Sequence, residues 1–342
     1  MNYKLISISQ KEEWIHYVNR SLKHDFYHTW HYHSFVLADD PFLFIYEEEG
    51  TFIVLPLLMR KVKGSDFFDC TSVYGYAGPI SNMCFSSLTS KTVNKFKAAF
   101  LGFLKSKRII CVFSCLHPMM DQQSLLNIFG GICNSGKTVA IDLQTSLEVQ
   151  RMKYRRAIRS KIRQLREQGF TVKEATTKGE IQEFVRMYRA NMMKVNASSY
   201  YYFEEKYFFE LLDSLEFDSK LLLTYYNGDI AAGALVTFSD NIMQLHLVAT
   251  KNEYLQHSPM KLLIEEASIV GREQGMHFLH LGGGVGGKED NLFRFKSGFS
   301  DLFLPFQTWQ FVADEIVYKT LAKERFKRND EQYDKFPLYR SG

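Results

Sequence analysis

The densest group of chemically active side chains is a run of basic residues in the middle of the chain. Arg151–Arg166 holds eight Lys and Arg residues and no acid, and its apolar residues recur with a helical period. Two interpretations remain open: a solvated helix joining two domains, or a surface that binds phosphates or RNA. Because no acidic residue interrupts this run, it favours phosphate binding more strongly than an ordinary charged helix does. The candidate phosphate-binding residues are Arg155, Arg156, Arg159 and Arg163.

A second candidate is a loop of tyrosines and glycines at Thr71–Pro79. It is either a tight turn with packed tyrosines, or an acceptor-binding loop in which the Tyr74 and Tyr76 hydroxyls contact sugar or peptide. Asp66 and Asp69 lie just before it. Either carboxylate could take a proton from an attacking amine or anchor an ammonium group, or both could be exposed. Phosphate candidates after the first predicted hairpin, with a solvated turn as the alternative, are Arg60, Lys61 and Lys63.

The histidines and cysteines give weaker indications. His246 lies in a predicted strand on the face of Gln244, and is either a base near a reacting centre or a hydrogen-bonded core residue; His280 is a weaker case in the next strand. The Cys111-x-x-x-Cys115-x-His117 spacing fits no strong zinc pattern, so we expect core cysteines and no metal. The run LGGGVGG lacks the dinucleotide-binding spacing. We therefore expect no cofactor.

The elements that must position these residues occur twice. A strand, a helix and a hairpin follow each other in both halves, and the two hairpins are offset by 178 residues, which favours an internal duplication. The predicted elements are Lys4–Ser9, Lys11–Leu22 and Leu43–Leu57 in the first half, and Thr171–Ala175, Lys178–Met193 and Leu221–Leu235 in the second.

Length and composition limit the classes of protein to which the chain can belong. The chain has 342 residues, of which 46 % are hydrophobic and 23 % charged, with a net charge of +4. This predicts about two globular domains and excludes a largely disordered chain. The longest charge-free apolar runs fall short of the ~20 residues of a membrane span, and no signal-peptide core is expected. Five cysteines, an odd number, favour a reducing cytoplasm.

The order strand–helix–hairpin–strand–helix–strand resembles the GNAT acyltransferase fold, present twice. Four stretches resemble the Fem family of peptidoglycan-bridge aminoacyltransferases and its FemAB-like relatives: TSVYGYAGP (Thr71–Pro79), Arg186–Phe203, Tyr254–Gly275 leading into HFLHLGGG, and NLFRFKSGFS (Asn291–Ser300). The resemblance implies an α/β fold with mixed sheets, made of two tandem GNAT-like domains without the long helical arm. The expected limits are 1–148, with 315–342 packing back on it, and 149–314.

The resemblance also implies an activity. Fem enzymes move an acyl group, typically an amino acid from charged tRNA, onto an amine of a cell-wall precursor. By this resemblance Lys296 stabilises developing charge, Phe295 orients the donor, and Lys194 is nearest to a diphosphate-binding position. Asp69 and His246 complete the predicted catalytic set. Expected partners are aminoacyl-tRNA and a peptidoglycan precursor or a nucleotide-linked amino sugar.

The donor can be argued from the start of the last long helix. GNAT proteins that use coenzyme A have glycines there, whose backbone N–H groups reach the pyrophosphate. Here Gln256 is followed by HSPMK, so Pro259 offers no N–H and Lys261 is bulky. This argues against acetyl-CoA, although Lys261 could hold one phosphate and Tyr254 could contact substrate. Two alternatives stay open: an acyl-CoA-dependent N-acyltransferase acting on an amino sugar in surface-polysaccharide synthesis, and a non-catalytic relative that binds RNA or a precursor.

Overall fold

The computed structural model describes residues 3–36, 39–198, 201–326 and 336–340. The chain divides into a first unit, 1–136 with 305–342, and a second unit, 137–304. The divisions lie upstream of the expected limits at 148 and 314. They fall inside two strands, β7 (Ile132–Asp142) and β13 (Leu302–Val312), so each of these strands contributes residues to both units.

The first unit is a mixed sheet with helices. Besides β13, its elements are β1 (Tyr3–Ser7), α1 (Lys11–Arg20), α2 (Trp30–Ser34), β2 (Asp40–Glu48), β3 (Thr51–Lys61), β4 (Phe68–Thr71), β5 (Ile80–Ser81), α3 (Ser90–Ser106), β6 (Ile109–Cys115), α4 (Gln123–Leu126) and α11 (Glu315–Phe326). The strands are ordered β1-β2-β3-β4-β6-β13, with β5 beside β3. The β4–β6 pair is parallel and the other neighbours are antiparallel.

The second unit repeats this arrangement. Besides β7, its elements are α5 (Leu147–Lys153), α6 (Arg156–Glu167), β8 (Thr171–Glu174), α7 (Lys178–Lys194), α8 (Glu205–Leu212), β9 (Asp218–Tyr226), β10 (Asp229–Ser239), β11 (Ile242–Thr250), α9 (Met260–Glu273), β12 (Phe278–Gly283) and α10 (Asn291–Lys296). The strand order is β8-β9-β10-β11-β12-β7, and again one pair, β11–β12, is parallel. The predicted α/β class with duplicated mixed sheets is confirmed.

The two hairpins show why the sequence repeat is visible. The β2–β3 and β9–β10 hairpins both turn through two residues of positive φ, Glu49-Gly50 (51° and 79°) and Asn227-Gly228 (49° and 81°). Two positive φ values define the turn whose twist matches antiparallel strands, and the second position favours glycine. The hairpins are offset by the predicted 178 residues, because β2 begins at 40 and β9 at 218.

The basic run corrects one prediction. Arg151–Arg166 is divided between α5 and α6, because Tyr154 between them is extended (φ −67°, ψ 137°). Its buried ring packs edge-to-face on Phe299 at 5.3 Å. α5 begins earlier than expected because the Ser146 side chain caps it.

Each unit has its own apolar core. In the first, α3 places Phe96, Phe100 and Phe103 against Phe44 of β2. In the second, α9 packs Leu263 and its neighbours on the central strands. Within the parts of the chain that the structure describes, no helix has the length and apolar character needed to cross a bilayer.

Candidate active site

In the second unit the parallel pair β11–β12 stops pairing before either strand ends, which leaves a gap that we call the β11–β12 crevice. β11 and β12 pair only from Ile242–Phe278 to Gln244–His280, although β11 continues to Thr250 and β12 to Gly283. α9 follows the carboxyl end of β11, and the glycine run follows that of β12. Ligands of open α/β sheets bind in such crevices at the carboxyl ends of strands. We therefore take this end of β11 and β12 as the candidate site.

A polar row crosses the strands beneath the crevice. Thr237, Gln244 and His280 are register neighbours on β10, β11 and β12, and all three are buried. His280 Nδ1 lies 2.7 Å from Gln244 Oε1, and His246 Nε2 lies 2.7 Å from the Tyr207 hydroxyl. Both histidines are thus hydrogen-bonded. His246 is two residues beyond the last pair, on the crevice side of Gln244.

Lys296 lies beside the end of β12. Asp290 caps α10, since its carboxylate accepts from the N–H groups of Val285 and Phe293, each at 2.9 Å. At the other end of this short helix, Lys296 Nζ donates to the Gly283 carbonyl at 2.7 Å. Burial lowers the pKa of Lys296 to about 8, and the charge of Asp290 opposes that shift. The Lys296 side chain is half-buried, and its amine is held against the backbone at the end of β12.

Phe295 is less available than predicted. Its half-buried ring packs edge-to-face on Phe299 at 5.5 Å and joins the apolar core. Part of the ring is therefore used in packing, which limits its surface for stacking on a base.

The start of α9 is a closed turn. Ser258 has a left-handed backbone (φ 55°), and the N–H groups of Ser258, Lys261 and Leu262 donate to carbonyls of the same turn. Pro259 has no N–H. Lys261 is half-buried, and its pKa is lowered by burial and by the nearby charge of Lys161. Little backbone is left to hold a pyrophosphate.

Aromatic rings gather beside this turn. Phe170 stacks on Tyr226 at 4.3 Å, and Tyr226 stacks in turn on His257 at 6.1 Å. The predicted substrate contact Tyr254 belongs to the same cluster, and its hydroxyl donates to Asp229 at 3.0 Å.

The basic residues of α5 and α6 have different environments. Arg151 and Arg166 both contact Glu265, a buried carboxylate on α9, at 2.6 and 2.7 Å. Arg155 donates to the Arg294 carbonyl at 3.0 Å and to the Ser297 hydroxyl at 2.9 Å. The four predicted phosphate-binding residues are all exposed: Arg155, Arg156, Arg159 and Arg163.

In the first unit, the tyrosine loop is held from both sides. The Tyr32 hydroxyl donates to the Tyr74 carbonyl at 2.9 Å, and Gln122 Nε2 donates to the carbonyls of Ala77 (2.8 Å) and Pro79 (3.0 Å). Tyr74 and Tyr76 are half-buried. The loop is thus a fixed platform.

Asp69 has a setting that does not favour its predicted role as a base. Its side chain is fully buried and accepts from Arg60 Nε at 2.7 Å, Arg340 Nε at 2.6 Å and the Tyr339 hydroxyl at 2.9 Å. It fixes the segment 336–340 to the first unit. Asp66, by contrast, is 81 % exposed.

The remaining candidates are surface cations. Lys61 is exposed, and its carbonyl accepts from Arg340 at 2.8 Å. Lys194 ends α7 and donates to Asn252 at 3.3 Å, in a groove also lined by Arg186 and Arg189. Within the described ranges, no cluster of three His, Cys, Asp or Glu side chains could hold a metal ion.

The comparisons with known proteins agree with this geometry. Residues 152–297, which include β11, β12 and Lys296, match the acetyltransferase (GNAT) domain family. Residues 152–297 thus form a GNAT acyltransferase domain. No curated protein sequence matches the chain.

The likeness in fold to solved structures extends over both units of the chain. FemX is 13 % identical with a TM-score of 0.69, over 94 % of this chain and 99 % of that one. L-PGS from Bacillus licheniformis is 14 % identical with a TM-score of 0.60, over 90 % and 94 %. A tandem GNAT protein from the clavulanic acid biosynthesis pathway is 8 % identical with a TM-score of 0.52, over 91 % and 98 %. The predicted resemblance to Fem proteins is confirmed at the level of the fold.

Sequence reasoning missed one buried polar pair of the acyltransferase. Asp25 and His117 in the first unit are both fully buried, with His117 Nε2 2.8 Å from an Asp25 oxygen. The two residues are 92 positions apart, and no spacing rule connects them. Only the fold brings them together.

Proposed function

We propose that this acyltransferase moves an aminoacyl group from aminoacyl-tRNA to an amine of a peptidoglycan precursor in the cytoplasm. The observation that carries the proposal is the sequestered Lys296 amine beside the β11–β12 crevice. The fold shared with FemX supports it.

The chemistry fits that amine. The acceptor nitrogen attacks the ester carbonyl carbon, a tetrahedral oxyanion forms, and the bond to the ribose 3′-oxygen breaks. The acceptor loses a proton and the departing oxygen gains one. With a pKa near 8, Lys296 is mainly an ammonium at neutral pH. A fixed cation in a partly dry site stabilises the oxyanion or the departing oxygen. His246 is the candidate base.

The donor is inferred from the first turn of α9 and from the basic residues of α6. That closed first turn, with Pro259, disfavours a pyrophosphate cradle, while Lys161 and Lys261 suit a single phosphate. The exposed residues Arg156, Arg159 and Arg163 add a charged face that would follow a phosphate backbone. This combination suits an RNA donor better than a thioester of coenzyme A.

The acceptor is inferred from the first unit and α7. The fixed tyrosines Tyr74 and Tyr76 could contact a sugar or peptide. Within the first unit Lys61 is a candidate phosphate contact, and within the second unit Lys194 is another; each is proposed for its own unit.

The test compares Lys296→Met with a matched control. Lys319→Met changes an exposed lysine of α11 that pairs with Glu315. With radiolabelled aminoacyl-tRNA and a precursor amine, we expect Lys296→Met to lower kcat by roughly 100-fold, as loss of one oxyanion donor does. Lys319→Met should be unchanged. Full turnover by a folded Lys296→Met protein would refute the assignment.

The second candidate is an acyl-CoA-dependent N-acyltransferase acting on an amino sugar. It is favoured by the match of residues 152–297 to the acetyltransferase (GNAT) domain family. Titrating the protein with aminoacyl-tRNA and with acetyl-CoA at two salt concentrations separates the two. Saturable, salt-sensitive tRNA binding supports the first proposal. Micromolar acetyl-CoA binding without tRNA binding supports the second, and tight binding with no product from any donor indicates a non-catalytic relative.

A further inference from the structure

The end of α10 that carries Lys296 is held by a residue of another helix. Arg155, immediately before α6, donates through one guanidinium nitrogen to the Arg294 carbonyl and through another to the Ser297 hydroxyl. Its backbone N–H also donates to the Gly298 carbonyl at 2.8 Å. One residue therefore makes three contacts with the segment on either side of Lys296.

These contacts supply hydrogen-bond partners that the end of a short helix lacks. α10 has six residues, and the last carbonyls of a helix have no partner within it. A cation at this end satisfies them and interacts favourably with the helix dipole. Arg155 supplies both a hydrogen bond to a carbonyl at this end and a positive charge. Asp290 caps the other end of α10.

Packing makes the junction tight. A Cβ atom at Gly298 would come within 2.5 Å of Ile158 on α6 and 3.2 Å of the Phe295 carbonyl. The turn after α10 thus rests on α6, and a side chain at Gly298 would have to displace Ile158.

We propose that Arg155 is a positioning residue for Lys296, because its guanidinium fixes the end of α10 from which that amine reaches the Gly283 carbonyl. Arg156, Arg159 and Arg163 are as exposed as Arg155, but Arg155 differs because its guanidinium hydrogen-bonds the end of α10. The inference rests on the proposed role of Lys296.

The first test needs no substrate. Trace acetylation of Lys296 by acetic anhydride across a pH series, read by mass spectrometry, gives the pKa of this amine. The wild-type value should be about 8. In Arg155→Met we expect it to rise toward the ordinary value of about 10.4, because a loosened α10 exposes the amine to water. Asp290, which acts on Lys296 by its charge, is unchanged in this variant. Arg186→Met, which removes an exposed partner of Glu183, should leave the pKa unchanged.

Arg155→Lys distinguishes the effect of the two guanidinium hydrogen bonds from the effect of the positive charge. Lysine keeps the charge but not the planar fork that contacts two acceptors at once. We expect most of the pKa rise in Arg155→Lys as well. A wild-type pKa in Arg155→Lys, together with a raised one in Arg155→Met, would show that charge alone acts and would overturn the inference.

The second test measures function. Arg155→Met should lower kcat by roughly 10- to 100-fold, the cost of a small misplacement, with KM nearly unchanged. Its tRNA binding should keep the wild-type salt dependence, whereas Arg163→Met should reduce the slope by about one. An unchanged Lys296 pKa with a reduced slope in Arg155→Met would make it a phosphate contact. If the pKa moves but Lys296→Met retains turnover, the proposed function fails and the positioning does not.

Discussion

The clearest prediction concerns Asp69, because its predicted role as a base and its observed setting lead to opposite outcomes. Asp69→Asn keeps the size of the side chain and removes the charge that Arg60 and Arg340 share. Removing one partner of a buried ion pair typically costs about 3–5 kcal/mol. For a unit of this size, that lowers the Tm of the first unit by roughly 6–20 °C.

Asp66→Asn is the matched control. Asp66 is 81 % exposed and meets Arg108 at 3.7 Å, so its loss should cost about 0–1 kcal/mol. Calorimetry gives the two Tm values. Limited proteolysis then asks whether the segment 336–340 is released, since Tyr339 and Arg340 both donate to Asp69.

The same variants measure catalysis. At a temperature where Asp69→Asn is folded, we expect kcat within about threefold of wild type, because the carboxylate is enclosed by its three donors. A large loss of kcat with an unchanged Tm and unchanged proteolysis would refute this reasoning and restore Asp69 as the base.

Two further predictions concern stability. Burial lowers the pKa of His33 to about 4 and that of His28 to about 3, against about 6.5 when unfolded, so stability present above pH 6.5 should decline as the pH falls toward 4. For His33 alone this amounts to about 3 kcal/mol, and urea unfolding of His33→Asn should show a correspondingly flatter pH dependence. Gly75→Ala places a Cβ 1.9 Å from the Tyr27 ring at φ 114°, so it should destabilise by about 2 kcal/mol or more. Gly64→Ala, with positive φ but open space, should cost about 1 kcal/mol in the same thermal assay; equal costs would contradict the packing argument.

The elements that sequence reasoning predicted well are those with local causes. The two hairpins follow from apolar runs around Glu49-Gly50 and Asn227-Gly228, which suit the same tight turn. Pro259 correctly indicates the start of α9, since proline is favoured in the first turn of a helix.

Local pattern failed where a tertiary contact decides the structure. Nothing in the basic run indicates that Tyr154 leaves the helix, because the cause is burial of its ring against Phe299. Likewise Asp69 has no sequence neighbour that reveals its pairing with Arg340, 271 residues away. The basic run also overstates the free charge, since Glu265 on α9 binds two of its arginines.

The duplicated fold also shows why chemistry is expected in one unit. Both units have one parallel strand pair, but in the first unit pairing continues past β4, through the Ser72 N–H to the Phe113 carbonyl and on to the Ala77–Leu116 bridge. The tyrosine loop therefore closes that crevice. In the second unit, pairing between β11 and β12 ends at Gln244 and His280, and the opening lies beside Lys296. The same topology thus gives a closed strand pair in one unit and an open one in the other, and the GNAT family match lies within the unit whose pair is open.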